Sequence, residues 1–158
     1  MVDLRVLSDE DWKLWRELRL AALGEAPYAF GSTLTDWQDA GEDRWRDRLR
    51  IKGARDLVAH LDGTAVGMAS GVPAEPDTVE VISVWVGPAG RGRGVGDALI
   101  GALADWAAAS GATALRLSVR HDNTAAIRLY ERAGFVHDGP SDEDPTEILM
   151  VRTLPDPW

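Results

Sequence analysis

Apolar positions along the chain change period several times, and each change marks an element. Leu4 to Leu7 is a short apolar run that reads as an edge strand. Ser8 then stands as a helix cap, with Asp9, Glu10 and Asp11 where acids suit the positive end of the helix dipole. Trp12, Trp15, Leu18, Arg19 and Ala22 recur at helical spacing, and Gly24 is a stop signal. Pro27 to Ser32 reads as a loop, and the spacing of Trp37, Trp45 and Leu49 predicts a second helix over Thr35 to Arg50. Beyond it the period becomes two. Asp56 to Leu61 and Thr64 to Val72 flank Asp62-Gly63, a strong hairpin signal. Pro73 to Asp77 holds two prolines and is a loop, and Thr78 to Val86, rich in Val and Ile, is the best strand in the chain.

The second half alternates helix and strand. Val95, Ala98, Leu99, Ala102, Leu103, Trp106 and Ala107 form a helical stripe that ends at Gly111. Leu115, Leu117 and Val119 alternate with Arg116, Ser118 and Arg120, the pattern of a half-buried strand. Asp122 or Asn123 caps a short helix that stops at Gly134. Phe135 to Asp138 and Glu147 to Thr153 are the last strands, joined by the acidic stretch Pro140 to Pro145. The order β-α-α-β-β-β-α-β-α-β-β predicts an α/β (α+β) fold with helices on the faces of a sheet.

Composition narrows the chemistry. At 158 residues, 45% hydrophobic and 27% charged, the chain predicts one compact domain over 1–158 with a sizeable core. With no cysteine there is no disulfide, thiolate nucleophile or Cys-based metal site. His60, His121 and His137 are scattered without metal-ligand spacing, so no metal is expected. Gly67-Met-Ala-Ser70-Gly71 carries its serine one place too late for a nucleophile elbow. No apolar run approaches the ~20 residues that span a bilayer, and no signal-peptide pattern is visible, so the expected setting is cytoplasmic. The net charge of −9 disfavours nucleic acid and anionic membranes and mildly favours a cationic substrate such as an amine. It is equally what an acidic, solubilising surface carries.

The most informative segment is Arg91-Gly92-Arg93-Gly94-Val95-Gly96, between a strong strand and a strong helix. Glycines allow positive φ and close backbone approach, and a helix start offers unpaired N–H groups. With two arginines added, the segment reads as a site for phosphate or pyrophosphate. The plainer alternative is a tight strand-to-helix turn with solvated arginines. The dinucleotide fingerprint G-x-G-x-x-G fails in every register, because Val95, Asp97 and Leu99 fall at the sixth position. The lysine of a P-loop is absent. What remains is R-x-x-G-x-G, filled by Arg91, Gly94 and Gly96.

That pattern resembles the acyl-CoA pyrophosphate loop of the GNAT superfamily of N-acetyltransferases. Val84-Trp85-Val86-Gly87-Pro88 is similar to that family's fourth strand and its exit, and Asn123 to Phe135 is similar to its N-x-x-A-x-x-x-Y-x-x-x-G-F helix. The resemblance implies a mixed, mostly antiparallel central sheet of about six to seven strands flanked by about four helices. It implies transfer of an acetyl group from acetyl-CoA, the one co-substrate, to a primary amine of a small molecule or peptide in a ternary complex. Backbone N–H groups of Arg91, Gly92, Arg93, Gly94, Val95 and Gly96 would hold the pyrophosphate. The backbones of Val84, Trp85 and Val86 would hold the pantetheine arm, with Asn123 touching it as well. An N–H near Val86 would polarise the thioester carbonyl.

Two side chains carry the proton transfers in this reading. An ammonium has no lone pair, so a base must take its proton. Glu80, 11 residues before Arg91, stands where several family members carry a glutamate base. Period two puts it on one strand face with Val84 and Val86, and burial between Val79 and Val81 would raise its pKa. The alternative is a solvent-facing strand glutamate. Tyr130 matches the family's tyrosine that protonates the departing thiolate, its alternative being a core aromatic. Tyr28, Phe30 and Trp37, with Trp85, are the expected walls of an acceptor cleft between the Ala26 to Leu34 loop, the strand near Glu80 and the last hairpin. The resemblance also leaves room for a homodimer, and for a non-catalytic acyl-CoA sensor on the same fold.

Overall fold

A computed structural model of the chain describes residues 2–25, 34–141 and 144–154. One seven-stranded sheet organises them, in the order β1-β2-β3-β4-β5-β7-β6. The strands are β1 (Val2–Val6), β2 (Arg55–Leu61), β3 (Thr64–Pro73), β4 (Thr78–Val86), β5 (Ala114–Arg120), β6 (Val136–Pro140) and β7 (Glu147–Thr153). Only β4 and β5 pair in parallel. Five α-helices cover the sheet: α1 (Trp12–Glu25), α2 (Leu34–Trp37), α3 (Glu42–Arg48), α4 (Val95–Ala109) and α5 (Thr124–Arg132). This is the mixed, mostly antiparallel architecture that the family resemblance implies, with one helix more.

Local signals explain most boundaries. Ser8 closes a capping box with Asp11 ahead of α1. Asp62 and Gly63 both take positive φ, as a two-residue turn between β2 and β3 requires. Gly111 and Gly134, at φ +93, end α4 and α5 in the left-handed conformation. The helix expected over Thr35 to Arg50 is instead two short ones. Gly41 is the cap of α3, and Glu42 and Asp43 occupy its first turn, so a new helix begins where a continuous one was expected.

The sheet has two differently covered faces. On one, α4 packs Val95, Leu99, Ile100, Leu103 and Ala107 onto Leu57, Ala59, Val79, Val81, Leu115 and Leu117, and Tyr130 and Phe135 join this core. On the other, Trp15, Leu18 and Ala22 of α1 and Trp45 of α3 pack onto Val58 and Met68. Trp15 and Trp45 are fully buried there. The residues that β5 turns to this second face, Arg116, Ser118 and Arg120, keep part of their surface in solvent.

Candidate functional site

The site begins with a break in the ladder. β4 and β5 pair only through Thr78↔Ala114, Val79↔Leu115 and Glu80↔Arg116. From Val81 onward the edge of β4 that faces β5 has no strand partner. The cause lies on the other edge. Met68 of β3 pairs with Trp85 and Ser70 with Ile82, so Ser83 and Val84 together oppose the single Ala69. Ser83 adopts φ +57, a left-handed conformation a serine takes at some cost. The extra residue bends β4 away from β5 and opens a gap between them.

The bulge also corrects the strand phase. Val79, Val81, Val84 and Val86 all pack against the α4-side core, and Trp85 packs in the α1–α3 cluster. Glu80 therefore does not share a face with Val84 and Val86. It points to the opposite side of the sheet, because one residue has been inserted between them. Nor is Glu80 buried. Its side chain is 41% exposed, and Arg116 Nη2 donates to its Oε2 at 3.1 Å. The burial expected between Val79 and Val81 is not met.

Buried polar groups hold the bulge. Arg48, at the end of α3, donates from Nη1 to Asp56 Oδ1 at 3.0 Å and from Nη2 to Ser70 Oγ at 3.1 Å and Ser83 Oγ at 3.4 Å. Ser70 Oγ donates to Asp56 Oδ1 at 2.6 Å. Asp56 and Ser70 are buried, and the Arg48 guanidinium lies 5.0 Å from the Trp15 ring centroid. Burial, reinforced by the charge of Arg48, lowers the pKa of nearby Arg19 to about 10.

The glycine-rich loop stands at the far end of the gap. Gly92 and Gly94 take φ +72 and +77, and a Cβ on either would meet nothing within 4 Å, so backbone conformation is what demands glycine there. Gly96 answers a different need: a Cβ there would lie 2.9 Å from Leu129 Cδ2, so this glycine brings α4 against α5. A pocket of about 410 Å³ lies between them, lined by Val86, Ala125, Leu129, Arg132 and the loop from Gly90 to Asp97 apart from Arg93. The first N–H groups of α4 and the Arg132 guanidinium, 3.6 Å from Asp97, give it an anion-binding character. Arg91 pairs with Glu25 of α1 and donates from Nε to the Val86 carbonyl at 3.1 Å, while Arg93 is exposed.

Gly87 N–H donates to the Val66 carbonyl at 2.7 Å, so by strand alternation the Val86 N–H lies on the opposite edge, toward the gap. Tyr130 is buried against Phe135, ring centroids 5.8 Å apart, and burial pushes its phenol far up from 10.0. Asn123 caps α5, its Oδ1 accepting from Ala126 N–H at 3.2 Å. Trp37 packs against Trp45 with ring centroids 4.8 Å apart and planes tilted by 45°, and the Arg44 guanidinium lies 4.0 Å from the Trp37 centroid. Tyr28 and Phe30 lie outside the described residues. The sheet thus brings Val84, Val86 and the loop to one side and Glu80 to the other, with the gap between. Arg116 and Arg48 are residues the sequence reading missed. Arg116 was visible as a polar position of the β5 alternation, and nothing local marked Arg48. For Ser83, period two had allowed a different pocket without fixing the strand phase.

Comparison with known proteins follows the same outline. Residues 12–135 match the model of the acetyltransferase (GNAT) family. A L-2,4-diaminobutyric acid acetyltransferase of Nocardia farcinica is 47% identical over 76 residues, 47% of this chain and 39% of that protein. A mycothiol acetyltransferase of Renibacterium salmoninarum is 31% identical over 130 residues, 82% of this chain and 38% of that protein. The chain thus spans about two fifths of the length of these curated relatives. Among solved structures, yncA, described as a putative acetyltransferase from Salmonella typhimurium with its cofactor acetyl-CoA, superposes with TM-score 0.78 at 24% identity, covering 99% of this chain and 95% of that one. A PaiA N-acetyltransferase from Thermoplasma acidophilum in complex with coenzyme A superposes with TM-score 0.76 at 18% identity, covering 97% and 99%.

Proposed function

Because the chain belongs to the GNAT acetyltransferase family, we propose that it moves an acetyl group from acetyl-CoA to the primary amine of a small molecule or peptide. The observation that carries the reading is the gap opened beside Glu80, with a glycine loop and a helix start at its far end. An elongated thioester with an anionic head matches that arrangement. The backbone N–H groups from Arg91 to Gly96 hold the pyrophosphate, and the unpaired edge of Val84 to Val86 holds the pantetheine arm. The Val86 N–H receives the charge that builds on the thioester oxygen. The positive φ values of Gly92 and Gly94 support this assignment, since they turn successive N–H groups inward. The acetyl-CoA setting of the reaction is the cytoplasm.

The acceptor approaches from the α1–α3 side of the sheet. It arrives as an ammonium, and Glu80 takes one proton, directly or through water, and passes it to solvent. The freed lone pair attacks the thioester carbonyl carbon. As the C–N bond forms the C–S bond breaks, and sulfur keeps the electron pair. Tyr130 donates its phenolic hydrogen toward that sulfur and is reprotonated by the second proton the nitrogen sheds. The buried phenol is neutral across the physiological range, so it is always in the donating form. Asn123 fixes the start of α5, which carries Tyr130. Among the described residues, the walls assigned to the acceptor are Trp37 and Trp85.

The test is acetyl-CoA turnover, read as thiol release, over a panel of primary amines at several pH values. The panel includes the acceptors for which the two curated relatives are named. Acetylation of an amine, rising with pH, is the expected result. Failure of acetyl-CoA to bind would remove the loop assignment and the function with it.

A further inference from the structure

Glu80 and Arg116 are the last paired residues of β4 and β5 before the gap. Both turn to the face away from α4, and α1 and α3, which cover that face, pack on β2 and β3. Both side chains therefore keep solvent contact, 41% for Glu80 and 34% for Arg116. Among the described residues, the one polar partner of the Arg116 guanidinium is Glu80, through Nη2. Its other donors are uncommitted there. Arg120, next on the same face, is different: Nε and Nη2 both go to Asp122, at 3.1 and 3.0 Å. A guanidinium with a spare donor edge, beside the proposed base and in a chain of net charge −9, is a specific arrangement. Its planar fork matches a carboxylate.

We propose that Arg116 reads a carboxylate on the acceptor, which makes the acceptor a free amino acid rather than a polyamine or a peptide N-terminus. The inference rests on the acetyltransferase reading above. The mechanism is an exchange of partners. The incoming carboxylate takes the Arg116 fork, and Glu80, released from its ion pair, faces the ammonium of the same molecule. Glu80 accepts the amine proton as described, so no further reactant is needed. An amine without a carboxylate leaves Glu80 tied to Arg116 and is a poor substrate. The pair is thus a specificity device as well as a cross-strand contact.

The experiment compares steady-state acetylation of α-amino and diamino acids with their carboxamides and decarboxylated amines, using wild type, Arg116→Met and Arg116→Lys. Wild type should favour the carboxylate form by about tenfold or more in kcat/KM, the range of a hydrogen-bonded charge pair. Arg116→Met should abolish that preference by raising the amino acid KM, while turnover of the plain amine holds or rises and the acetyl-CoA KM is unchanged. Arg116→Lys, a point charge without the fork, should keep only part of the preference. The unchanged acetyl-CoA KM is the control for folding. A wild-type preference for plain amines, or an equal loss on both substrate classes in Arg116→Met, overturns this proposal alone. Absence of acetyl transfer by wild type to either class overturns the acetyltransferase reading and this one with it.

Discussion

Tyr130 is a phenol that the fold keeps protonated. Replacing it with Phe preserves the ring packed against Phe135 and removes only the hydroxyl. We expect kcat to fall by about 10²-fold, the low end of general acid catalysis, with the acetyl-CoA KM unchanged in steady-state assays. The same residue gives a stability signature. Its pKa is raised in the native state, so native protein keeps a proton that the unfolded chain gives up above pH 10.0. Stability from this group is complete below that pH and declines as pH rises beyond it. Denaturant unfolding of Tyr130→Phe should show a shallower alkaline decline than wild type. At Gly94 the backbone itself is the constraint. Gly94→Ala forces a side chain into φ +77, at a cost of roughly 1–2 kcal/mol, and should weaken acetyl-CoA binding about tenfold in calorimetry.

Among the elements, β4 shows best what a sequence can and cannot reveal. Its bounds, Thr78 to Val86, follow from Val and Ile content and a Pro-bearing loop before it. Its phase does not. In Val-Glu-Val-Ile-Ser-Val-Trp-Val the polar positions Glu80 and Ser83 stand three apart, which leaves the phase open, and the inserted residue is fixed only by the pairing opposite Ala69. Glu80 was singled out by position, but placed on the wrong face for that reason. Arg116 lies 36 residues away and meets it only through the parallel register. The glycine loop and the Asn123 helix were legible because their caps and turns are local. Arg48 joins α3 to the bulge, so its loss should be felt twice. Arg48→Met leaves Asp56 buried without its cation, which costs about 3–5 kcal/mol in denaturant unfolding. It should also raise the acetyl-CoA KM, and pairing it with Asp56→Leu should restore part of the stability.

The whole molecule is strongly acidic, while its proposed thioester substrate is an anion and its proposed acceptor a zwitterion. Raising ionic strength from about 10 to 150 mM shortens the Debye length from about 30 to 8 Å. The acetyl-CoA KM should therefore fall with added salt and that of an amino acid acceptor should barely move, a difference that initial-rate kinetics resolves. The sheet that separates these two substrates is joined across its middle by three register pairs, Thr78 to Glu80 with Ala114 to Arg116. Mechanically it is two leaves on a short spine, β1-β2-β3-β4 and β5-β7-β6, backed by the α4 core. A molecule threaded between the leaves acts as a splint. Its presence should slow amide exchange along both inner edges at once, beyond the residues it touches, and the protein would gain rigidity from its own substrate.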